Sequence, residues 1–303
     1  MKCYIGIDGG GTKTLLRMTD DNGTLLHEDI GGGSNPYTVP PEQAKALLTT
    51  MIGKALAAMP EGAEIGGICI GAAGADTEAD YAFFDQVLRE ASGSERVLAV
   101  NDGYASMFAT LRERPGVVIA AGTGSICWGK NEAGDVCRMG GWGYLFSDEG
   151  SGYRMVSDAL DIVSRTIDGR ASHGALLLER LMEAFGVNTH EELISEIYMC
   201  PSPQSVAAYF PIVCQAAKEN DPLAVDVIDR GMDDLVELVA AAARHLGMYP
   251  VFTVGMTGSI LTKVELTRQV FIQKMIERFP KSTIIEERGE NVDGALYLAR
   301  TIQ

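Results

Sequence analysis

Asp8-Gly9-Gly10-Gly11-Thr12-Lys13 follows the apolar run Tyr4-Ile5-Gly6-Ile7, and what comes after it settles which kind of glycine loop it is. A second strand is expected over Thr14–Thr19, then the turn Asp21-Asn22-Gly23, then a third strand over Leu25–Ile30. Asn-Gly between alternating segments is a strong hairpin signal, so the loop leads into a hairpin and not into a helix. Both the dinucleotide fingerprint and the P-loop set their glycines between a strand and a helix N-terminus. The P-loop also needs Gly-Lys-Ser/Thr in consecutive order, where this chain has Gly11-Thr12-Lys13-Thr14. Both are disfavoured. The glycines Gly10 and Gly11 offer backbone N–H groups to phosphate oxygens, while Thr12 adds a hydroxyl and Lys13 a charge. Asp8, at a strand end, is a candidate for Mg²⁺ held through water, the usual mode for this reluctantly dehydrated ion. A tight turn that needs positive φ, with Asp8 as its Asx residue, is the other reading of the same residues.

The plan returns in the second half of the chain. Val117–Ala121 reads as an apolar strand, Gly122-Thr123-Gly124-Ser125 as a loop, Ile126–Lys130 as a strand, Asn131–Gly134 as a turn and Asp135–Met139 as a strand. A strand, glycine loop and hairpin repeated at domain-sized separation suggest two similar α/β halves whose loops bracket one phosphate chain. In between, helices are expected over Gln43–Met59 and Ala79–Ala91, and strands over Ile65–Ile70 and Val97–Val100. A helical stretch runs from Met155 to about Leu246; it includes Asp221-Pro222 as a helix start and Gly247 just past a helix end. Strand Val251–Val254, loop Gly255-Met256-Thr257-Gly258-Ser259, a helix over Leu261–Phe279 and a last helix starting near Asp293-Gly294 complete the chain. No low-complexity linker interrupts it, which makes the break near Pro115 a hinge between packed lobes.

Composition narrows the partners. A chain of 303 residues suits two domains. Its formal charge of −16, with no Lys/Arg-rich run, sets a repulsive field against nucleic acid and anionic lipid. No apolar run approaches the ~20 residues of a membrane span, and the N-terminus is charged too early for a signal peptide, so a cytoplasmic protein is expected. Cys3, Cys69, Cys127, Cys137, Cys200 and Cys214 include no Cys-x-x-Cys, and the four histidines fall at no ligand spacing. Free thiols are expected, with no zinc and no iron–sulfur cluster.

Asp102 follows the strand ending at Val100 and precedes a helix. Ligands gather at strand C-termini in doubly wound sheets, so a carboxylate there can take a proton from an attacking hydroxyl; capping that helix is the alternative. Gly140 to Gly152 is too glycine-dense for a regular element. It carries Trp142 as an apolar platform and Asp148 and Glu149 as acceptors, a mix suited to a polyhydroxylated ligand. A surface loop with a half-buried tryptophan is the bland alternative. Gly33-Ser34-Asn35-Pro36 reads only as a turn.

Asp8 to Lys13, Gly33-Ser34-Asn35, Asn101-Asp102-Gly103, Ala121 to Ser125 and Gly140-Gly141-Trp142-Gly143 through Asp148-Glu149-Gly150-Ser151-Gly152 occur in one order along nearly the whole chain. In this the sequence resembles the BadF/BadG/BcrA/BcrD ATPase family, in particular its N-acetylglucosamine-kinase-like branch. The resemblance implies a duplicated ribonuclease-H-like, actin-like α/β fold. Its N-terminal lobe would be 1–114, with the closing helix 293–303 packed back on it. The C-terminal lobe would be 115–292, with a helical insertion at about 155–246, and ATP would lie in the cleft between the lobes. It further implies phosphorylation of an amino sugar of N-acetylglucosamine or glucosamine type at its primary hydroxyl, with ATP and Mg²⁺, by a homodimer. By position, Asp102 resembles the base. Gly10, Gly11, Thr12, Lys13, Gly122, Thr123 and Gly124 resemble the phosphate loops, and Ala216, Gly258 and Ser259 the nucleoside site. Asn35, Ser125, Gly141, Trp142 and Asp148 resemble the sugar-facing set, alongside Asp102. Ile126 stands where animal-type relatives carry Asn, which removes one amide from that set, and Ser147 replaces a common Gly. Two rivals stay open: an ATPase that activates a partner enzyme through a cysteine-held cluster, and a sugar or nucleotide sensor without turnover.

Overall fold

Gly6 and Gly67 lie on neighbouring strands of one sheet, and a Cβ at either would strike the backbone of a C-terminal helix, at 2.6 Å from Val292 O and 2.1 Å from Ala299 O respectively. That contact joins the two ends of the chain into one folding unit, because only a bare strand surface lets a helix backbone come so near. The computed structural model describes residues 1–171, 173–200, 202–285 and 289–302. It divides into one unit of 1–114 with 287–303, and another of 115–286.

The first unit opens with β1 (Lys2–Gly9), β2 (Thr14–Asp20) and β3 (Leu25–Gly31), followed by α1 (Pro41–Ala57), β4 (Glu64–Ala72), α2 (Glu78–Ser92), β5 (Val97–Asn101) and α3 (Asp102–Leu111). Its five strands lie in the order β3-β2-β1-β4-β5. β1, β2 and β3 pair antiparallel, and β1, β4 and β5 parallel. One face packs on α1 and α2 through buried Leu48, Ile52, Phe84 and Leu88. On the other side α3 and the chain's last helix share a core of Cys69, Val100, Ala105, Ala295, Leu298 and Ala299. The Asp20-Asp21-Asn22-Gly23 turn closes the first hairpin with Gly23 at φ 85°.

The second unit runs β6 (Gly116–Ala121), β7 (Ser125–Lys130), β8 (Val136–Gly140), α4 (Gly152–Ile167), α5 (Ala175–Phe185), α6 (His190–Tyr198), α7 (Pro203–Ala207), α8 (Phe210–Lys218), α9 (Pro222–His245), β9 (Thr253–Thr257), α10 (Ser259–Thr262), α11 (Glu265–Arg278) and β10 (Thr283–Ile285). The chain closes on α12 (Asn291–Thr301), which belongs to the first unit. The second sheet reads β10-β9-β6-β7-β8, and its pairings repeat those of the first sheet strand for strand: two antiparallel, then two parallel. The duplicated α/β fold read from the two glycine loops is therefore present.

Helices α4 to α9 fill the expected helical stretch. Asp221 caps α9, its Oδ1 accepting from the N–H groups of Leu223 and Ala224 while Oδ2 accepts from Leu177 N–H. Three local expectations need correction. The strand expected over Val251–Val254 lies at Thr253–Thr257, because β6 supplies ladder partners as far as Ala120 opposite Thr257. Gly255, Met256 and Thr257 are thus strand, and only Gly258 remains of the expected loop. The helix expected over Leu261–Phe279 breaks at Lys263-Val264, where Thr267 Oγ1 takes the carbonyls of Ile260 and Val264. The last helix begins earlier than Asp293, at Asn291; Gln303, the end of the expected closing helix, lies outside the described residues.

Candidate active site

In the first unit β1, the central strand of its sheet, delivers Asp8 and the glycine loop to its C-terminal end, where the chain turns back into β2. Gly10 N–H donates to Lys13 O at 2.9 Å, closing the loop and leaving Thr12 and Lys13 exposed. Gly9, Gly10 and Gly11 do not adopt positive φ, so the tight-turn reading of these glycines does not hold. Close approach is the constraint instead: a Cβ at Gly9 would stand 2.8 Å from Ser34 Oγ, one at Gly10 2.9 Å from Lys13 O, and one at the neighbouring Gly33 2.1 Å from Gly11 O. Ser34 N–H donates to Gly10 O at 3.0 Å, Thr38 Oγ1 to Gly11 O at 3.2 Å, and Thr14 Oγ1 to the fully buried Ser34 Oγ at 2.9 Å. The Gly33–Pro36 turn, unremarkable in sequence, is thereby fastened to the glycine loop and carries Asn35. Asn35 Oδ1 accepts from Tyr37 N–H and lies 2.6 Å from where a Cβ of Gly74 would stand.

Asp102 is the first residue of α3 and half-buried. The cap of that helix is Asn101, whose Oδ1 accepts from Gly103 N–H at 2.9 Å, so the capping alternative for Asp102 is overturned. Asp102 Oδ1 shares the same N–H at 2.8 Å. Burial raises the Asp102 carboxyl above the ordinary range; the Gly103 N–H opposes this and the charge of Asp76 adds to it. Asp8 is pushed up to about 6, by burial first and then by the Asp102 charge, against a hydrogen bond from Asn291 and the charge of Lys13. Two carboxyls that repel one another at a strand end are a place where a proton or a cation is welcome. Among the described residues no group of three His, Cys, Asp or Glu side chains could hold a metal ion.

In the second unit Gly122 N–H donates to Gly124 O at 2.9 Å, while Gly122 O and Thr123 O accept from the N–H groups of Gly152 and Tyr153 in the first turn of α4. Gly258, at φ 80°, presses on Ala121, where a Cβ would meet Ala121 O at 2.2 Å; Ser259, exposed, lies beside Gly122. Gly122 of the loop and Ser259 at the start of α10 are thus neighbours. Ala216 is fully buried within α8, in the core of this unit.

The sugar-facing candidates of this unit cluster around Asp148. It is buried at φ 61°, with a carboxyl raised by burial, against the N–H groups of Ser125 and Gly143 and the charge of Arg138, which lower it. Gly124 lets the Asp148 carboxylate come close: a Cβ there would stand 2.6 Å from Asp148 Oδ2, so any side chain would displace that carboxylate. Ser125 is buried with its hydroxyl donating to Glu149 O at 2.7 Å. Gly141, at φ 70°, packs against Ile126. Trp142 is 61% exposed, not half-buried, and the Arg138 guanidinium lies 4.5 Å from its ring centre while donating to Gly141 O at 2.7 Å. Asp76, near Asp102, is not marked by the sequence, and its partner Asn101 enters there only as part of the stretch Asn101-Asp102-Gly103, with no role of its own. The only signal was Asn standing before Asp at a strand-to-helix junction.

All six thiols are free, and no helix of the described residues is long and apolar enough to cross a membrane. The profile of the BadF/BadG/BcrA/BcrD ATPase family matches residues 5–299. An N-acetylmuramic acid/N-acetylglucosamine kinase of Clostridium acetobutylicum is 29% identical over 304 residues, covering 99% of each chain. An N-acetyl-D-glucosamine kinase of Dictyostelium discoideum is 29% identical over 310 residues, covering 98% of this chain and 97% of that one. A solved structure from Chromobacterium violaceum, given as a candidate N-acetylglucosamine kinase, superposes with a TM-score of 0.77 at 25% identity over 99% of both chains.

Proposed function

This chain belongs to the BadF/BadG/BcrA/BcrD ATPase family, and from that premise we propose that it is a sugar kinase that uses ATP to phosphorylate an amino sugar at its primary hydroxyl. The observation that carries the reading is the arrangement within the first unit. A carboxyl with a raised pKa, Asp102, begins a helix at a sheet edge, and the loop bearing Asn35 is hydrogen-bonded to the glycine loop after Asp8. Asp102 takes the proton of the acceptor hydroxyl as that oxygen bonds to the γ-phosphorus and the bridging bond to ADP breaks. The N–H groups of Gly10 and Gly11, with Thr12 and Lys13, bind phosphate oxygens; Gly122, Thr123 and Gly124 serve the same purpose in the second unit. Asn35 in the first unit, and Ser125, Gly141, Trp142 and Asp148 in the second, are the sugar-facing set of this reading; Gly258 and Ser259 serve the nucleoside, while Ala216, sealed in the core of α8, is left without a part in it.

Mg²⁺, anchored by Asp8, would neutralise charge on the phosphates. A homodimer in the cytoplasm is part of the same reading, and six unpaired thiols suit a reducing compartment.

The test is ADP release with ATP and Mg²⁺ over glucosamine, N-acetylglucosamine, N-acetylmuramic acid, N-acetylmannosamine and glucose, with the mass of the active species read by light scattering. Ile126 packs on Gly141 where animal-type relatives offer an amide, so a preference among N-acylated acceptors different from theirs is expected. Sugar-independent ATP hydrolysis, with no acceptor raising the rate, would overturn the kinase reading in favour of a partner-activating ATPase.

A further inference from the structure

Asn101 is a buried amide, 5% exposed, on the last position of β5. Its Oδ1 caps α3 through Gly103 N–H, and its Nδ2 donates to Asp76 Oδ1 at 3.1 Å and, more weakly, to Ala75 O at 3.5 Å. One side chain therefore ties two segments of the first unit: the turn that carries Asp102, and the loop after β4 that carries Asp76. That loop is fixed from its other end by Asp80. Asp80 Oδ2 accepts from Thr77 N–H at 2.9 Å, Thr77 Oγ1 at 2.7 Å and Asp76 N–H at 3.3 Å, while Oδ1 accepts from Tyr37 OH at 2.8 Å. Tyr37 in turn supplies the N–H that holds Asn35 Oδ1. The chain of contacts runs from Asn35 through Tyr37, Asp80, Asp76 and Asn101 to the N–H that Asp102 shares.

We propose that Asn101 is a positioning residue of the phosphoryl transfer, its carboxamide clamping the Asp76 loop to the first turn of α3 and so setting the Asp102 carboxyl in place. A cap needs only an acceptor for Gly103 N–H, which Ser or Thr would supply equally well; the donor half of Asn is used on Asp76. A carboxyl about 1 Å out of place costs up to about a hundredfold in rate, so the clamp matters for turnover even though it touches no reactant. The proposal rests on the kinase reading.

Asn101→Ser separates the two halves, keeping an acceptor for the cap while its hydroxyl, one bond nearer the backbone, no longer reaches Asp76. The expected result is a melting temperature near that of the parent, a kcat at least about tenfold lower with the best acceptor of the ADP panel, and an acceptor KM changed less than about threefold. Asp76→Ala should lower kcat alike, and the double variant should be no worse than either single one, as members of one clamp behave. Asp76→Asn, which keeps the acceptor oxygen, should restore most of the rate. Amide exchange reads the clamp without turnover: residues 75–77 should exchange faster in Asn101→Ser while α3 stays protected. A parent-like kcat in Asn101→Ser, or unchanged exchange at 75–77, would overturn the positioning role. A parent with no acceptor-dependent ADP release would overturn the kinase reading, and with it any role in transfer, even where exchange shows that the clamp exists.

Discussion

At Asp102 two effects compete for the proton. Burial and the Asp76 charge favour the neutral acid, while the shared Gly103 N–H favours the carboxylate, and the first pair wins. A carboxyl poised that way is a stronger base than a free surface aspartate. Asp102→Asn should lower acceptor-dependent ADP formation by about 10²–10⁴-fold, the range of general-base catalysis, with ATP binding by a fluorescent nucleotide analogue little changed. Asp8 gives a pH prediction. The native state holds its proton up to about pH 6, whereas the unfolded chain releases it near its ordinary value of 3.8. The native state thus binds more protons within that window, so stability falls as pH rises through it and is level above. Asp8→Asn, always neutral, should melt above the parent at pH 7–8 by the equivalent of about 1–3 kcal/mol, and the gap should close below pH 4, measured by thermal melts in EDTA. The aspartates could be picked out from sequence because Asp at a strand end is a recognisable pattern. Asp76 and Asn101 could not, since their pairing depends on two loops 25 residues apart meeting in space.

Among the elements, the loops after β1 and β6 work by closeness. Gly33→Ala would force a Cβ onto Gly11 O, and the glycine loop must shift to admit it. A loss of about 1–3 kcal/mol and an ATP KM raised about tenfold are expected, from chemical melts and steady-state kinetics. Gly53 in α1 is the contrast: nothing lies within 4 Å of a Cβ there, so Gly53→Ala should stabilise by about 0.5–1 kcal/mol with parent kinetics. The start of α9 was readable as Asp221-Pro222, but its weight was not. Asp221 is 3% exposed and serves three N–H groups, including Leu177 of α5, so Asp221→Ala should cost at least about 2 kcal/mol, beyond an exposed cap. The bounds of β9 and the break at Lys263 are not legible locally, because ladder partners in β6 and the Thr267 hydroxyl, both distant or out of register in sequence, impose them.

For the whole molecule, the first unit is built from both ends of the chain. α12 packs on β1 and β4 over bare Gly6 and Gly67, and Arg17 in β2 reaches Glu290 and Asp293 at 2.7 and 2.6 Å. A chain ended after residue 288 should lose the first unit's melting transition and, with it, acceptor-dependent turnover, while far-ultraviolet circular dichroism retains the helices of the second. Sequence by itself determined the duplication, because a strand, a glycine loop and a hairpin are local patterns whose periodicity and turn chemistry repeat. It also marked Asp8, Asp102 and the loops at Gly10 and Gly122, since backbone donors and strand-end carboxylates have local signatures. Only the tertiary structure decided why those glycines are glycine, that Trp142 stands exposed beside Arg138, and that Asn101 joins Asp76 to the turn of Asp102. Each is a matter of distance between segments far apart in the chain, and packing, not local preference, sets such distances.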